Sequence, residues 1–147
     1  MKLYILEDDE CATTFDILLA KEGGKHTIQK STNIANALND IYVTEECSPD
    51  KIDAYIFDLQ IPDTKGLPKE YLERITKKGE YSGLILVEYL KEKLDIDIAD
   101  KIIFCTGYYY DLKKQIGDTA FSKLRVVNKS SVNSLGEIRD YLNEIFK

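Results

Sequence analysis

The feature that most constrains this chain is an alternation. Short runs rich in branched and aromatic residues are separated by stretches in which apolar residues recur at helical spacing. The runs are KLYIL (2–6), HTIQKS (26–31), AYIFDL (54–59), KIIFCTG (101–107) and LRVVNK (124–129). After the first comes a pattern with Ala12, Phe15, Leu18 and Leu19 on one face. After the second, Ile34, Ala37, Leu38 and Ile41 recur at i, i+3, i+4 and i+7, with Asn33 placed to cap them. GLILVEYLKEKL (83–94) is a strong helical pattern, and a short one spans Leu112 to Ile116. The last has Leu135, Ile138, Leu142 and Ile145 on one face, behind a Ser134/Glu137 capping box. Strands that each lead into a helix predict an α/β fold: a doubly wound, five-stranded parallel sheet with helices on both faces. Strands buried on both sides are near-continuous apolar runs, as all but the second are here.

With 147 residues the chain is expected to form a single domain over 1–147, large enough for one core. Its formal net charge of −6 argues against binding a phosphate backbone, so no nucleic acid is expected. No run approaches the roughly 18 apolar residues of a membrane span, and KLYIL begins where a signal peptide would lie. Cys11, Cys47 and Cys105 have no metal-binding spacing and are expected to be reduced thiols in a cytoplasmic protein. His26 is expected to be an ordinary strand or loop residue.

In open parallel sheets, chemistry sits outside the carboxyl ends of the strands. The first strand ends in Glu7, Asp8, Asp9 and Glu10, the third in Asp58, the fourth in Thr106 and the fifth in Lys129. Taken singly, each has an ordinary structural use: helix capping, loop entry, β propensity, a surface charge. Together they place acids, a hydroxyl and an ammonium on one rim. Clustered carboxylates repel one another unless a cation is present, and an all-oxygen donor set with few protein ligands suits Mg²⁺. Asp58 can then act as a nucleophile on phosphorus, with Thr106 and Lys129 as donors to the phosphoryl oxygens.

The pieces YILEDDE, YIFDLQIPDTKG, IIFCTG and VVNKS together resemble the receiver domain of two-component response regulators. The resemblance spans nearly the whole chain. It implies a flavodoxin-like three-layer sandwich and phosphorylation of Asp58 by a histidine kinase or phosphotransfer protein. It further implies a phosphorelay switch that acts on an unknown downstream protein. It also implies Mg²⁺ held by Glu7, Asp8, Asp58 and the Gln60 carbonyl. The phase of the first helical pattern favours Glu7/Asp8 over Asp8/Asp9, and Asp8 is in both registers. On this reading the chain is not an enzyme beyond labelling and unlabelling itself, and no output domain follows.

The chain departs from that family in three places. Ser130 stands where the family has proline after the lysine, and Val126 stands where it has an aromatic three residues before the lysine. Segment 63–81 is an insertion after the third strand, and its Leu67, Tyr71 and Ile75 recur at i, i+4, i+8. That spacing predicts an extra helix with Lys69, Glu70, Glu73, Arg74, Lys77 and Lys78 facing outward. The family's downstream glycine has two candidates, Gly66 and Gly83. Two other readings are weaker. A haloacid-dehalogenase-like Mg-dependent phosphatase needs a second acid at the position of Gln60. A non-phosphorylated pseudo-receiver has no use for the full set of rim residues.

Overall fold

The computed structural model describes residues 1–8 and 26–146. The helical pattern at Ala12–Leu19 and the acids Asp9 and Glu10 lie outside the described residues. In chain order come β1 (Lys2–Leu6), β2 (Thr27–Ser31), α1 (Ile34–Tyr42), β3 (Ala54–Phe57), α2 (Lys69–Thr76), α3 (Ser82–Leu94), β4 (Ile102–Thr106), α4 (Tyr109–Ile116), α5 (Asp118–Ser122), β5 (Val126–Asn128) and α6 (Ser134–Ile145). The strands form one sheet in the order β2-β1-β3-β4-β5, every neighbour parallel. This order reverses direction at β1/β3, and the crevice outside that switch point is where such sheets bind ligands.

Strand alternation divides the core into two layers. Tyr4, Leu6, Tyr55, Phe57, Ile102, Phe104 and Val126 face one side, against α1, α3 and α4. Leu3, Ile5, Ala54, Ile56, Ile103, Cys105 and Val127 face the other, against Ile138 and Leu142 of α6. The apolar runs are thus covered on both faces, which is why they lack a polar stripe. Helix α1 starts as expected, with the Asn33 side chain accepting from the Asn36 N–H at 2.9 Å. Helix α6 does not carry the expected capping box. Asn133 occupies the cap position and makes no side-chain cap bond, and the Ser134 N–H bonds the Ser131 carbonyl at 3.2 Å in the turn before it. Helix α5 is an element the sequence reading did not anticipate; it packs Phe121 edge-on to Tyr109 at 5.0 Å.

The segment after β3 is built into the domain. Leu67 and Tyr71 are buried, and Ile75 packs against the same core. Tyr71 stacks edge-on to Tyr89 of α3 at 5.2 Å and donates to Glu92 at 2.7 Å. Lys69, Glu70, Lys77 and Lys78 face solvent as expected, but Arg74 does not. Its guanidinium donates to both Glu80 oxygens at 2.9 Å and pairs with Glu88 of α3 at 2.5 Å. The fork geometry of arginine suits this two-acid clamp, which ties the end of the segment to the helix behind it. Among the described residues no helix is long and apolar enough to cross a membrane.

Candidate functional site

The parallel registers pair Leu6 with Phe57 and Thr106 with Asn128. One step further along each strand come Glu7, Asp58 and Lys129. The ladder carries on through them: the Asp58 N–H donates to the Leu6 carbonyl at 2.9 Å, Glu7 N–H to Ser31 at 3.1 Å, and Lys129 N–H to Thr106 at 3.0 Å. Backbone bonding therefore sets three charged side chains at the carboxyl ends of β1, β3 and β5, with the end of β4 and its Thr106 between the last two.

The Lys129 ammonium donates to Asp58 Oδ2 at 3.0 Å and also to Glu7 Oε2. Glu7 and Asp58 are only 4% and 9% exposed, whereas Asp8 is open to solvent. Carboxylate oxygens of Glu7, Asp8 and Asp58 all lie within 4.8 Å of one another. Among the described residues, Glu7 and Asp8 are thus grouped with Asp58. Burial, assisted by the negative charge of Asp58, pushes the Glu7 carboxyl up to about 7 against the opposing pull of the Lys129 hydrogen bond. Burial by itself would lower the Lys129 ammonium, but its hydrogen bond to Glu7 and the charge of Asp58 outweigh that and raise it. Lys129 therefore stays charged at neutral pH.

Three carboxylates against one ammonium leave an excess of negative charge in a half-buried pocket. The donors are all oxygen and one carboxylate opens to water. This set fits a hard divalent cation such as Mg²⁺ that keeps part of its water shell, and it does not fit a thiophilic metal. Gln60 lies two residues past Asp58, and its N–H reaches back toward Asp58 Oδ1 at 3.4 Å.

Thr106 is fully buried, and its hydroxyl oxygen accepts the Tyr108 N–H at 3.0 Å. That bond uses a lone pair and leaves the hydroxyl proton available to an acceptor on the rim. Val126 is a buried core residue of β5. Tyr109 is held by Phe121, while Tyr108 is 47% exposed and lies against Tyr81, with ring centroids 5.8 Å apart. No peptide bond among the described residues is cis.

One supporting residue, Ser82, escaped the sequence reading of the site, and the choice between Gly66 and Gly83 was left open by it. Ser82, the first residue of α3, is fully buried; its hydroxyl accepts the Ile61 N–H at 2.7 Å and donates to the Ile61 carbonyl at 2.9 Å. The next residue, Gly83, donates its N–H to the Leu59 carbonyl at 2.7 Å. A Cβ on Gly83 would lie 2.3 Å from the Asp58 carbonyl oxygen. Of the two candidate glycines, Gly83 is therefore the one packed against the Asp58 loop, and Gly66 lies against Ala35 of α1. The available signal was a Ser-Gly pair opening a long apolar helix. It was hidden because that helix lies more than twenty residues downstream of Asp58, with the 63–81 segment between them.

No protein-family model matches the chain, and no curated protein matches it in sequence. Solved structures do match. The non-phosphorylated HemR receiver domain from Leptospira biflexa superposes with a TM-score of 0.61 at 19% identity, over 99% of this chain and 94% of that one. A sensor protein from Polaromonas sp. JS666 gives 0.59 at 14% identity, over 98% and 97%. The receiver domain of the histidine kinase CKI1 from Arabidopsis thaliana, complexed with Mg²⁺ and BeF₃⁻, gives 0.53 at 16% identity, over 97% and 89%. The chain has the receiver-domain fold. At these identities it is the backbone architecture that is shared. Within the receiver fold, the acids after β1, the aspartate after β3 and the lysine after β5 of this chain converge on one rim.

Proposed function

We propose that the chain is a phosphorylation-dependent signalling switch in which Asp58 accepts a phosphoryl group from a phosphohistidine of a histidine kinase or phosphotransfer protein. The observation that carries this reading is Asp58 itself. It is nearly buried at a strand end, held by Lys129 at 3.0 Å, and grouped with Glu7 and Asp8. Support comes from two neighbours in fold: one receiver is described as non-phosphorylated, and another is complexed with Mg²⁺ and BeF₃⁻.

In the transfer, an Asp58 carboxylate oxygen attacks phosphorus. A P–O bond forms and the P–N bond to the donor imidazole breaks. The electron pair leaves with the ring nitrogen, which takes a proton from water. Glu7, Asp8, Asp58 and the Gln60 carbonyl would hold Mg²⁺, which when bound supplies positive charge against the phosphoryl oxygens. Lys129 supplies a second cation, and Thr106 a hydroxyl donor from the adjacent strand end. Gln60 supplies no acid/base group, so the acyl phosphate is not turned over as in a phosphatase; the protein labels itself and stops. The added charge of nearly two units then changes which proteins bind the rim. This is a cytoplasmic role, and no nucleic-acid or membrane contact is part of it.

The test is intact-mass measurement after incubation with Mg²⁺ and acetyl phosphate. One phosphate adduct is expected on the native chain and none on Asp58→Asn. An adduct that persists in Asp58→Asn, or sustained multiple turnover of a phosphate ester, overturns the reading.

A further inference from the structure

A cleft of about 710 Å³ opens between α3, β4 and the residues that lead into β5. That volume falls within the roughly 300–1,000 Å³ of small-molecule sites. Ile102 and Phe104 of β4 line its base, and the half-buried Leu84, Val87 and Leu124 line its walls. Glu7, Asp8, Asp58, Thr106 and Lys129 take no part in it. The charges at its mouth are not evenly satisfied. Each acid is engaged: Glu88 pairs with Arg74 at 2.5 Å, Glu92 accepts from Tyr71 at 2.7 Å, and Asp97 accepts the Ala99 N–H at 3.0 Å and pairs with Lys91 at 3.5 Å. The two bases beside Leu124 are not. The Lys123 ammonium has no partner among the described residues. Arg125 has two long contacts, to the Ala99 carbonyl at 3.4 Å and to the exposed Glu144 at 3.4 Å, and its buried Nε–H has no acceptor. A buried donor without an acceptor is uncommon in folded proteins and asks for an explanation.

We infer that this cleft binds a small carboxylate with an apolar body, the body lying along Ile102, Phe104 and Leu124 and the carboxylate between Lys123 and Arg125. Charge complementarity selects the anion: on a chain of net charge −6, the unmatched groups at this mouth are an ammonium and a loosely held guanidinium. Arg125 can re-aim its planar fork at an incoming carboxylate because it gives up only two long contacts, and its Nε–H then gains the acceptor it lacks. One fork and one ammonium match a single carboxylate. The apolar lining beyond them offers nothing to the further charges and hydroxyls of a nucleotide, and burying those unpaired is costly. The same lining takes an aryl or alkyl body out of water. The cleft uses no residue of the phosphoacceptor rim, so the site stands independently of the reading proposed for Asp58.

Titration of the full chain with phenylbutyrate, followed by backbone amide chemical shifts, tests the site; phenylbutanol is the uncharged match and phenylbutylamine the cationic one. Saturable shifts are expected in residues 84–92, 102–104 and 123–125. The carboxylate should bind at least about tenfold tighter than the alcohol, the difference that one charge-assisted contact makes. Lys123→Glu, a change at an exposed position, should remove that advantage and leave alcohol binding within about twofold. Val87→Trp should fill the cleft and weaken both ligands, with amides of β1 and β3 unshifted as the check on folding. The inference is overturned if no saturable shift appears in those residues, if the alcohol or the amine binds as tightly as the acid, or if Lys123→Glu binds the acid like the native chain. A dimer that sedimentation detects in the native chain and that Val87→Trp abolishes also overturns it, since the cleft would then belong to a second copy.

Discussion

Lys129 and Asp58 are separated by 71 positions in sequence and by 3.0 Å in space, the ammonium of one bonded to the carboxylate of the other. The same ammonium bonds Glu7. One cation is thus shared by two nearly buried acids that follow different strands. Such an arrangement is costly to break on one side only, because the remaining charges stay desolvated.

Replacing Lys129 with methionine is therefore expected to destabilise the metal-free protein. A fully buried pair of this kind is worth about 3–5 kcal/mol when one partner is removed. The lysine side chain is 25% exposed, so about 1–3 kcal/mol is the expectation here. Thermal denaturation at pH 8 checks it. Added Mg²⁺ should stabilise Lys129→Met more than it stabilises the native chain, since it supplies the missing positive charge. An equal Mg²⁺ shift in both would refute the view that the two cations serve the same carboxylates.

Glu7 makes stability depend on pH in an unusual direction for an acid. Burial raises its folded-state value from 4.5 to about 7, so between those values the folded chain holds more protons than the unfolded one. Stability must then fall as pH rises through that window. In chelator, melting temperature should decrease from about pH 5 to about pH 8 by more in the native protein than in Glu7→Gln. With Mg²⁺ the slope should shrink, because the metal competes with the proton for the same carboxylate. A native slope equal to that of Glu7→Gln would show that Glu7 does not titrate in this range.

Gly83→Ala tests the contact between α3 and the Asp58 loop. The new methyl would meet the Asp58 carbonyl oxygen at 2.3 Å and Leu59 backbone atoms at 3.1 Å, none of which sits on a flexible side chain. The loop must move. A cost of about 1–3 kcal/mol is expected, as for overpacking elsewhere. Labelling of Asp58 by acetyl phosphate should slow as well, because its carbonyl is the group displaced. Unaltered stability together with an unaltered labelling rate would mean that the loop yields freely.

Tyr71→Ala asks whether α2 belongs to the core. Tyr71 is 3% exposed, touches Tyr89 and bonds Glu92. Truncation should cost about 3–5 kcal/mol by analogy with other large buried aromatics. Urea denaturation would reveal it as a lowered midpoint at an unchanged m value. A change below about 0.5 kcal/mol, the range of ordinary surface substitutions, would return the segment to the status of a solvated extension.

Much of the site was legible because strand ends are marked in the sequence. Asp58 interrupts an apolar run, and Lys129 and Thr106 close two others, so the rim could be assembled by placing strand ends together. The Leu67–Tyr71–Ile75 stripe announced α2 in the same way, through its helical period. The clamp of Arg74 by Glu80 and Glu88 and the Tyr81–Tyr108 contact carry no such mark, because each joins residues whose proximity depends on how α2 and α4 settle on α3.

The sequence by itself determined the order of the strands and of the strongly periodic helices, the parallel sheet and the residue types available at its rim, though not the short helix α5. Those follow from apolar periodicity and from which residue types end each strand, both local properties of the chain. Tertiary structure alone decided that Glu7 shares the Lys129 ammonium with Asp58, that Gly83 rather than Gly66 packs against the Asp58 loop, and that Asn133 rather than Ser134 caps α6. These outcomes depend on which groups the folded elements bring together, and no local pattern in the chain encodes that. Packing density and the need to partner buried charge select among them, and neither acts until the sheet and helices have closed on one another.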